Sequence, residues 1–313
     1  MNDQPTRPDT DRSPPHVVTF DAIMPAAMAI RAEESGVKRA TTNPSTILVL
    51  SVLGGAFVAF GAVFATTVSA GSIAITSVDG GAALSAGMPY GIARLLVGLV
   101  FSVGLILVIV GGAELFTGNT LIVMAWASGK VKTRAVLHNW FIAFTGNFIG
   151  AIGAAVLMFL TTQYTFGSGA VGLVALNTAN SKAALSFIPA LTLGIMCNAL
   201  VCLAVWMCYA ARTTIDKVVT IVPPIAAFAA AGFEHCVANM YFIPIGLFIK
   251  AGAPDSFWQS IGKTPADFPA LTWDNFFIAN LAPVTIGNII GGSIMVGAVY
   301  WFVYLRRSAV PQS

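Results

Sequence analysis

Apolar residues run through this chain in long blocks, parted by short charged or Gly/Pro-rich breaks. Residues 46–70, 136–160, 185–210 and 272–305 each form one unbroken apolar block, long enough as a helix to cross a hydrocarbon core of about 30 Å. Two further blocks are too long. Between Arg94 and Lys130 lie 35 residues whose one charge is Glu114; between Lys217 and Lys250 lie 32, interrupted by Glu234 and the titratable His235. As a single helix the first would reach about 52 Å. The pattern predicts a helix broken in mid-membrane at each place, hence six spans with broken second and fifth helices.

The two breaks share a pattern. Gly112-Ala113-Glu114-Leu115-Phe116-Thr117-Gly118-Asn119 is echoed 120 residues later by Gly232-Phe233-Glu234-His235-Cys236-Val237-Ala238-Asn239. Two of the chain's four Glu fall at the same place in this repeat. The third and sixth spans echo as well: Asn139-Trp140-Phe141-Ile142-Ala143 pairs with Asn275-Phe276-Phe277-Ile278-Ala279, and Gly146-Asn147-Phe148-Ile149-Gly150 with Gly287-Asn288-Ile289-Ile290-Gly291. Gly146, Gly150 and Ala154, like Gly287 and Gly291, have the small-residue spacing of close helix contacts. Three spans per half, an odd number, turn the second half upside down relative to the first.

The ends read differently. Residues 1–20 are rich in Pro, Asp and Thr, lack the apolar run of a signal peptide, and are expected to be a disordered tail. The first membrane helix then serves as the insertion signal. Residues 21–42 are expected to hold a short amphipathic helix, with Ile23, Ala27, Ile30 and Val37 on its apolar side. Residues 43–306 form the channel domain and 307–313 a second tail. A Gly/Ser-rich connector holding Asp79 leads to Pro89. Arg31, Lys38, Arg39, Lys130, Lys132, Arg134, Arg212, Lys217, Arg306 and Arg307 fall on one side, against Arg94, Lys182, Lys250 and Lys263 on the other. That bias places both termini in the cytoplasm.

Composition agrees with a membrane domain: 57% hydrophobic and 9% charged, against roughly 25% charged in soluble proteins. No Lys/Arg cluster marks a nucleic-acid surface. The four cysteines lie in apolar stretches without metal-ligand spacing and read as small buried side chains; no metal or cofactor is implied.

An ionisable residue in an apolar span marks a functional site by default. Glu114 and Glu234 are expected to brace the breaks by accepting freed backbone N–H groups, with Asn119 and Asn239 closing the same turns. His235 has no counterpart, since Leu115 holds the matching place. A symmetric scaffold needs no histidine there, so His235 is the candidate for function, and Thr117 in the opposite break offers a hydroxyl. Lys182, in the loop before the fourth span, is placed to gather anions. A membrane enzyme built on Glu234 and His235 would lack a second titratable cluster, metal spacing and a nucleophile triad. A neutral-solute pore of the aquaporin type would carry paired Asn-Pro-Ala boxes, which this sequence lacks.

The break motifs, together with Gly194-Ile195-Met196-Cys197-Asn198-Ala199-Leu200-Val201-Cys202-Leu203-Ala204, closely resemble the formate–nitrite transporter family. The resemblance covers about 21–306 and is nearest to its bacterial formate channels. It implies an all-α, aquaporin-like 3+3 inverted repeat in the bacterial inner membrane, assembled as a homopentamer in lipid, with a pore in each protomer. It further implies passive or proton-coupled passage of formate, with nitrite, hydrosulfide and acetate as the alternatives. Carried over residue by residue, Thr117 and His235 form a central gate. Phe101, Leu105, Leu115, Phe116, Val201 and Phe228 form two apolar constrictions. Asn198 and Lys182 lie near the anion path. A cytoplasmic formate-producing lyase is the implied partner of the N-terminal helix.

Overall fold

The computed structural model describes residues 21–78 and 81–306; the two terminal tails, Asp79 and Arg307 lie outside them. Six helices are long and apolar enough to cross a membrane: α2 (Pro44–Ala70), α3 (Tyr90–Gly111), α5 (Thr133–Leu160), α7 (Phe187–Cys208), α8 (Thr214–Ala231) and α11 (Asn275–Tyr304). Shorter helices complete the set: α1 (Pro25–Thr41), α4 (Phe116–Ala127), α6 (Ala170–Ala183), α9 (Cys236–Gly252) and α10 (Asp255–Ile261). The Gly/Ser-rich connector after α2 is an antiparallel hairpin of β1 (Ile73–Val78) and β2 (Gly81–Ala86).

The breaks fall where expected. α3 ends at Gly112 and α8 at Gly232, whose φ values of 77° and 80° lie in the left-handed region. Glycine adopts that conformation without a Cβ penalty, so the chain leaves the helix there, runs extended through Leu115 or His235, and restarts as α4 or α9.

The halves pack alike. α2 lies along α5, and α7 along α11. A Cβ at Gly150 would run into the Val52 carbonyl, and one at Gly291 into the Ile195 carbonyl, so both contacts depend on backbone meeting backbone. α11 differs from α5 in carrying two π-helical stretches, Asn275–Leu281 and Ile290–Ala298.

Two further differences follow from packing. The buried face of α1 is Met28, Ala29, Ala32, Glu33 and Gly36. Ala27 and Ile30, expected on the apolar side, are exposed. Glu33 is drawn into the contact because Lys130 donates to its carboxylate. Lys182 sits in the last turn of α6, a helix packed on α9, rather than in a loop. α6 is the second-half counterpart of α1: Lys182 and Arg39 stand 143 residues apart in equivalent places.

Candidate functional site

Each break is held by an asparagine from a neighbouring span. Asn147 Oδ1 accepts from Phe116 N–H at 2.8 Å, and its Nδ2 donates to the Ser51 and Glu114 carbonyls at 2.7 and 2.9 Å. Asn288 repeats this on Cys236 N–H, Gly194 O and Glu234 O at 2.9, 2.8 and 3.0 Å. Backbone bonds from Glu114 N to Leu50 O and from Glu234 N to Leu193 O complete each set. Membrane-buried backbone has to find such partners inside the protein. In the sequence these two asparagines stand inside the Gly-Asn-x-Ile-Gly echo. Their signal, a polar side chain repeated in two apolar spans, went unread beside the glycines.

The glutamates expected to accept those N–H bonds face cations instead. Glu234 Oε1 accepts from Lys182 Nζ at 2.6 Å, and its Oε2 from Asn239 and Asn280 at 2.6 and 3.1 Å. Asn239 also donates to Asn280 Oδ1, whose own amide donates to Lys182 O. The first half holds the same circuit more loosely. Arg39 Nη1 donates to Asn119 Oδ1 at 2.9 Å, Asn119 to Asn139, and Asn139 to Arg39 O. Arg39 Nε stands 3.8 Å from Glu114, whose Oε2 has no hydrogen bond. Asn119 and Asn239 therefore link these circuits rather than simply closing their turns. The circuits also correct the sequence echo. Asn139 corresponds to Asn280, at the same 141-residue offset as Asn147 to Asn288, and not to Asn275.

The Lys182 and Glu234 side chains retain 16% and 5% exposure. Removing one partner of a buried pair strands the other charge, at about 3–5 kcal/mol. Lys182→Met is therefore expected to lower the detergent melting temperature clearly, and adding Glu234→Gln to restore part of the loss. Equal melting of the single and double variants would refute this.

Between the circuits lies a small apolar chamber lined by Val58, Phe101, Gly104, Leu105, Leu115, Val201, Ile225, Phe228 and His235. Five of the six expected constriction residues meet here. Phe116 does not: its ring packs edge-on against Phe144 and Trp140. Only about 10 Å³ of the chamber is open to water, room for about one molecule. A cavity of about 90 Å³ adjoins it on the side away from α1, sharing Phe101, Phe228 and His235 and adding Arg94 and Lys182. On the α1 side a cavity of about 430 Å³ is lined by Lys38, Arg39, Glu114, Val108, Val205 and Lys217.

His235 is the titratable residue among those lining the chamber. Its ring packs face to face with Phe228 at 6.1 Å. It is the N-cap of α9: Nδ1 accepts from Ala238 N–H at 3.1 Å, and Nε2 lies 3.0 Å from Thr117 Oγ1. Nδ1 must be unprotonated to accept, so the hydrogen bonds assign the ring proton to Nε2. The neutral imidazole then donates to Thr117, and the positive end of α9 starts beside the chamber. Thr117 reaches the chamber through this contact. Asn198 stands behind it, donating to Thr117 O, Thr120 Oγ1 and Asn288 O at 3.2, 3.2 and 2.6 Å. Asn198 thus ties the Thr117 turn to the opposite brace. Cys197, Cys202 and Cys236 are buried and Cys208 half-buried, all as free thiols.

The formate/nitrite transporter family model matches residues 26–302. The chain belongs to the formate/nitrite transporter family. Its sequence is 44% identical to the formate channel FocA of Escherichia coli K12, over 92% of this chain and 97% of that one. The formate channel FocA of Haemophilus influenzae is 38% identical over 88% and 93%. A solved structure described as a pentameric formate channel with formate bound superposes with a TM-score of 0.75 at 41% identity, covering 84% of this chain and 98% of that one. As a formate/nitrite transporter, the protein is a membrane transport protein of six spans and not an enzyme.

Proposed function

We propose that this protein conducts formate, as anion and conjugate acid, across the bacterial inner membrane through a pore in each protomer of a homopentamer. The α1 side is cytoplasmic, as the bias of basic residues toward that side favours. The observation that carries the reading is the Thr117–His235 pair at a closed apolar chamber between two cavities that carry cations. The relatives named for formate support the choice of substrate.

The path imposes a sequence of demands. A small anion is drawn into either cavity by positive charge. A bare carboxylate loses far more hydration in the chamber than apolar walls return. Desolvation favours its neutral form, so the substrate takes up a proton as it sheds water. At the chamber the His235 Nε2–H turns from Thr117 to a substrate oxygen. Thr117, released, can donate its own hydroxyl proton to the same molecule. A second ring proton on His235 would need Nδ1, displacing the Ala238 N–H bond that caps α9. The neutral ring therefore acts as a hydrogen-bond donor in this state.

Purified protein in liposomes tests the reading, with fluxes of formate, nitrite, hydrosulfide and acetate followed from pH 5 to 8. Formate is expected to pass saturably, well above protein-free vesicles, and faster toward acid pH. Formate flux no higher than in empty vesicles, with nitrite or hydrosulfide passing, would move the assignment to that anion.

A further inference from the structure

Two cations line the cavity away from α1, and their surroundings differ. Lys182 is matched: its ammonium donates to Glu234 at 2.6 Å, so the pair offers an approaching anion little net charge. Arg94 is bonded to neutral groups. Its Nε donates to Ala230 O at 2.9 Å and its Nη2 to Ala229 O at 2.5 Å, the last carbonyls of α8. Among the described residues no carboxylate pairs with it. The guanidinium lies against the break, where a Cβ added to Gly232 would stand 3.2 Å from Nη2. A guanidinium has five N–H donors, and these two bonds leave the rest of the fork for a ligand.

We infer that Arg94 is the anion-docking residue of this mouth, receiving a small carboxylate or nitrite before it reaches the chamber. The deduction rests on the transport reading above and adds to it the residue that supplies the uncompensated charge. Geometry gives Arg94 a second task. By satisfying the end of α8 it sets the level of the Gly232–His235 turn, so the docking site and the His235 ring share one support. An anion held on the free part of the fork lies in the same cavity that His235 and Phe228 close. Its next move is past Phe228 to the Nε2–H.

Docking and capping separate by substitution. Arg94→Gln keeps an amide that can bond the carbonyls but loses the charge; Arg94→Lys keeps the charge but loses the fork. Formate uptake is measured in right-side-out and inside-out membrane vesicles, against formate concentration and ionic strength. For Arg94→Gln, the half-saturating concentration is expected to rise about fivefold, the worth of one screened charge near contact. The rise is confined to the face bearing Arg94, with maximal flux within about twofold of wild type and a flatter salt dependence there. Arg94→Lys stays near wild type in all three.

Unchanged half-saturation in Arg94→Gln overturns the inference. So does a fall in maximal flux shared equally by both variants and both faces, which would leave Arg94 a helix cap alone. If the glutamine variant does not fold, Arg94→His titrated from pH 5 to 8 against wild type makes the same comparison in one protein. Wild type passing no formate refutes the transport reading instead; nitrite then serves as the probe, with the same outcomes for Arg94.

Discussion

With His235 replaced by leucine, reconstituted protein is expected to pass formate at least about tenfold more slowly than wild type. Leucine fills a similar space but removes the Nε2–H that now faces Thr117, the group proposed to meet the substrate, and the Nδ1 that caps α9. A buried substrate oxygen left without its donor costs about 1–3 kcal/mol, the middle of which is roughly thirtyfold in rate. His235→Asn separates the two losses. Asparagine is a good N-cap, so α9 should hold, and its amide keeps a shorter N–H donor at the same level. Because the ring stays neutral while Nδ1 caps α9, the wild-type change in flux between pH 5 and 8 is expected to follow the substrate's own protonation. The asparagine variant should keep that pH profile, with a rate between those of wild type and the leucine variant. Stopped-flow flux assays on all three proteins decide it. A leucine variant as fast as wild type would remove His235 from the mechanism, and an asparagine variant with an altered pH profile would overturn the neutral-donor role.

The second large effect is structural. Asn288→Leu leaves Cys236 N–H, Gly194 O and Glu234 O without their partner. Each buried orphan costs about 1–3 kcal/mol, so the total is about 3–9 kcal/mol. The melting midpoint in detergent should fall by roughly 6 °C or more, or the folded peak in size exclusion should vanish. Asn275→Leu is the control. Asn275 donates one side-chain bond, to Ala270 O at 2.8 Å, and its loss should move the midpoint only by a few degrees at most. Equal melting of the two variants would deny Asn288 its bracing role.

That comparison marks where the sequence stops being readable. The breaks were legible because a carboxylate and a glycine recur at matching places in blocks too long for one helix. The partners of those carboxylates were not. Arg39 and Lys182 come from helices too short to span a membrane, and α6, with Asn177, Thr178, Asn180 and Ser181 along it, shows no apolar period. Its place is set by packing on α9, a contact made only in three dimensions. Asn139 was matched to Asn275 because aromatic neighbours align the two segments in sequence. The true counterpart keeps the spacing instead, since Asn139 to Asn147 and Asn280 to Asn288 are both eight residues apart, and the asparagine that meets Asn239 is Asn280. The family resemblance places Phe116 at a constriction. Its backbone N–H is tied to Asn147, and its ring packs against α5.

A throat with space for about one water, and none for a carboxylic acid, is shut at rest. Under the proposed transport, conduction requires brief excursions in which Phe101, Leu105, Leu115, Val201 or Phe228 swing between rotamers. Throughput is paced by how often those rings and branches step aside, not by how fast solute diffuses to the mouth. Such a turnstile should saturate early, respond steeply to temperature, and give scattered single passages rather than a steady stream.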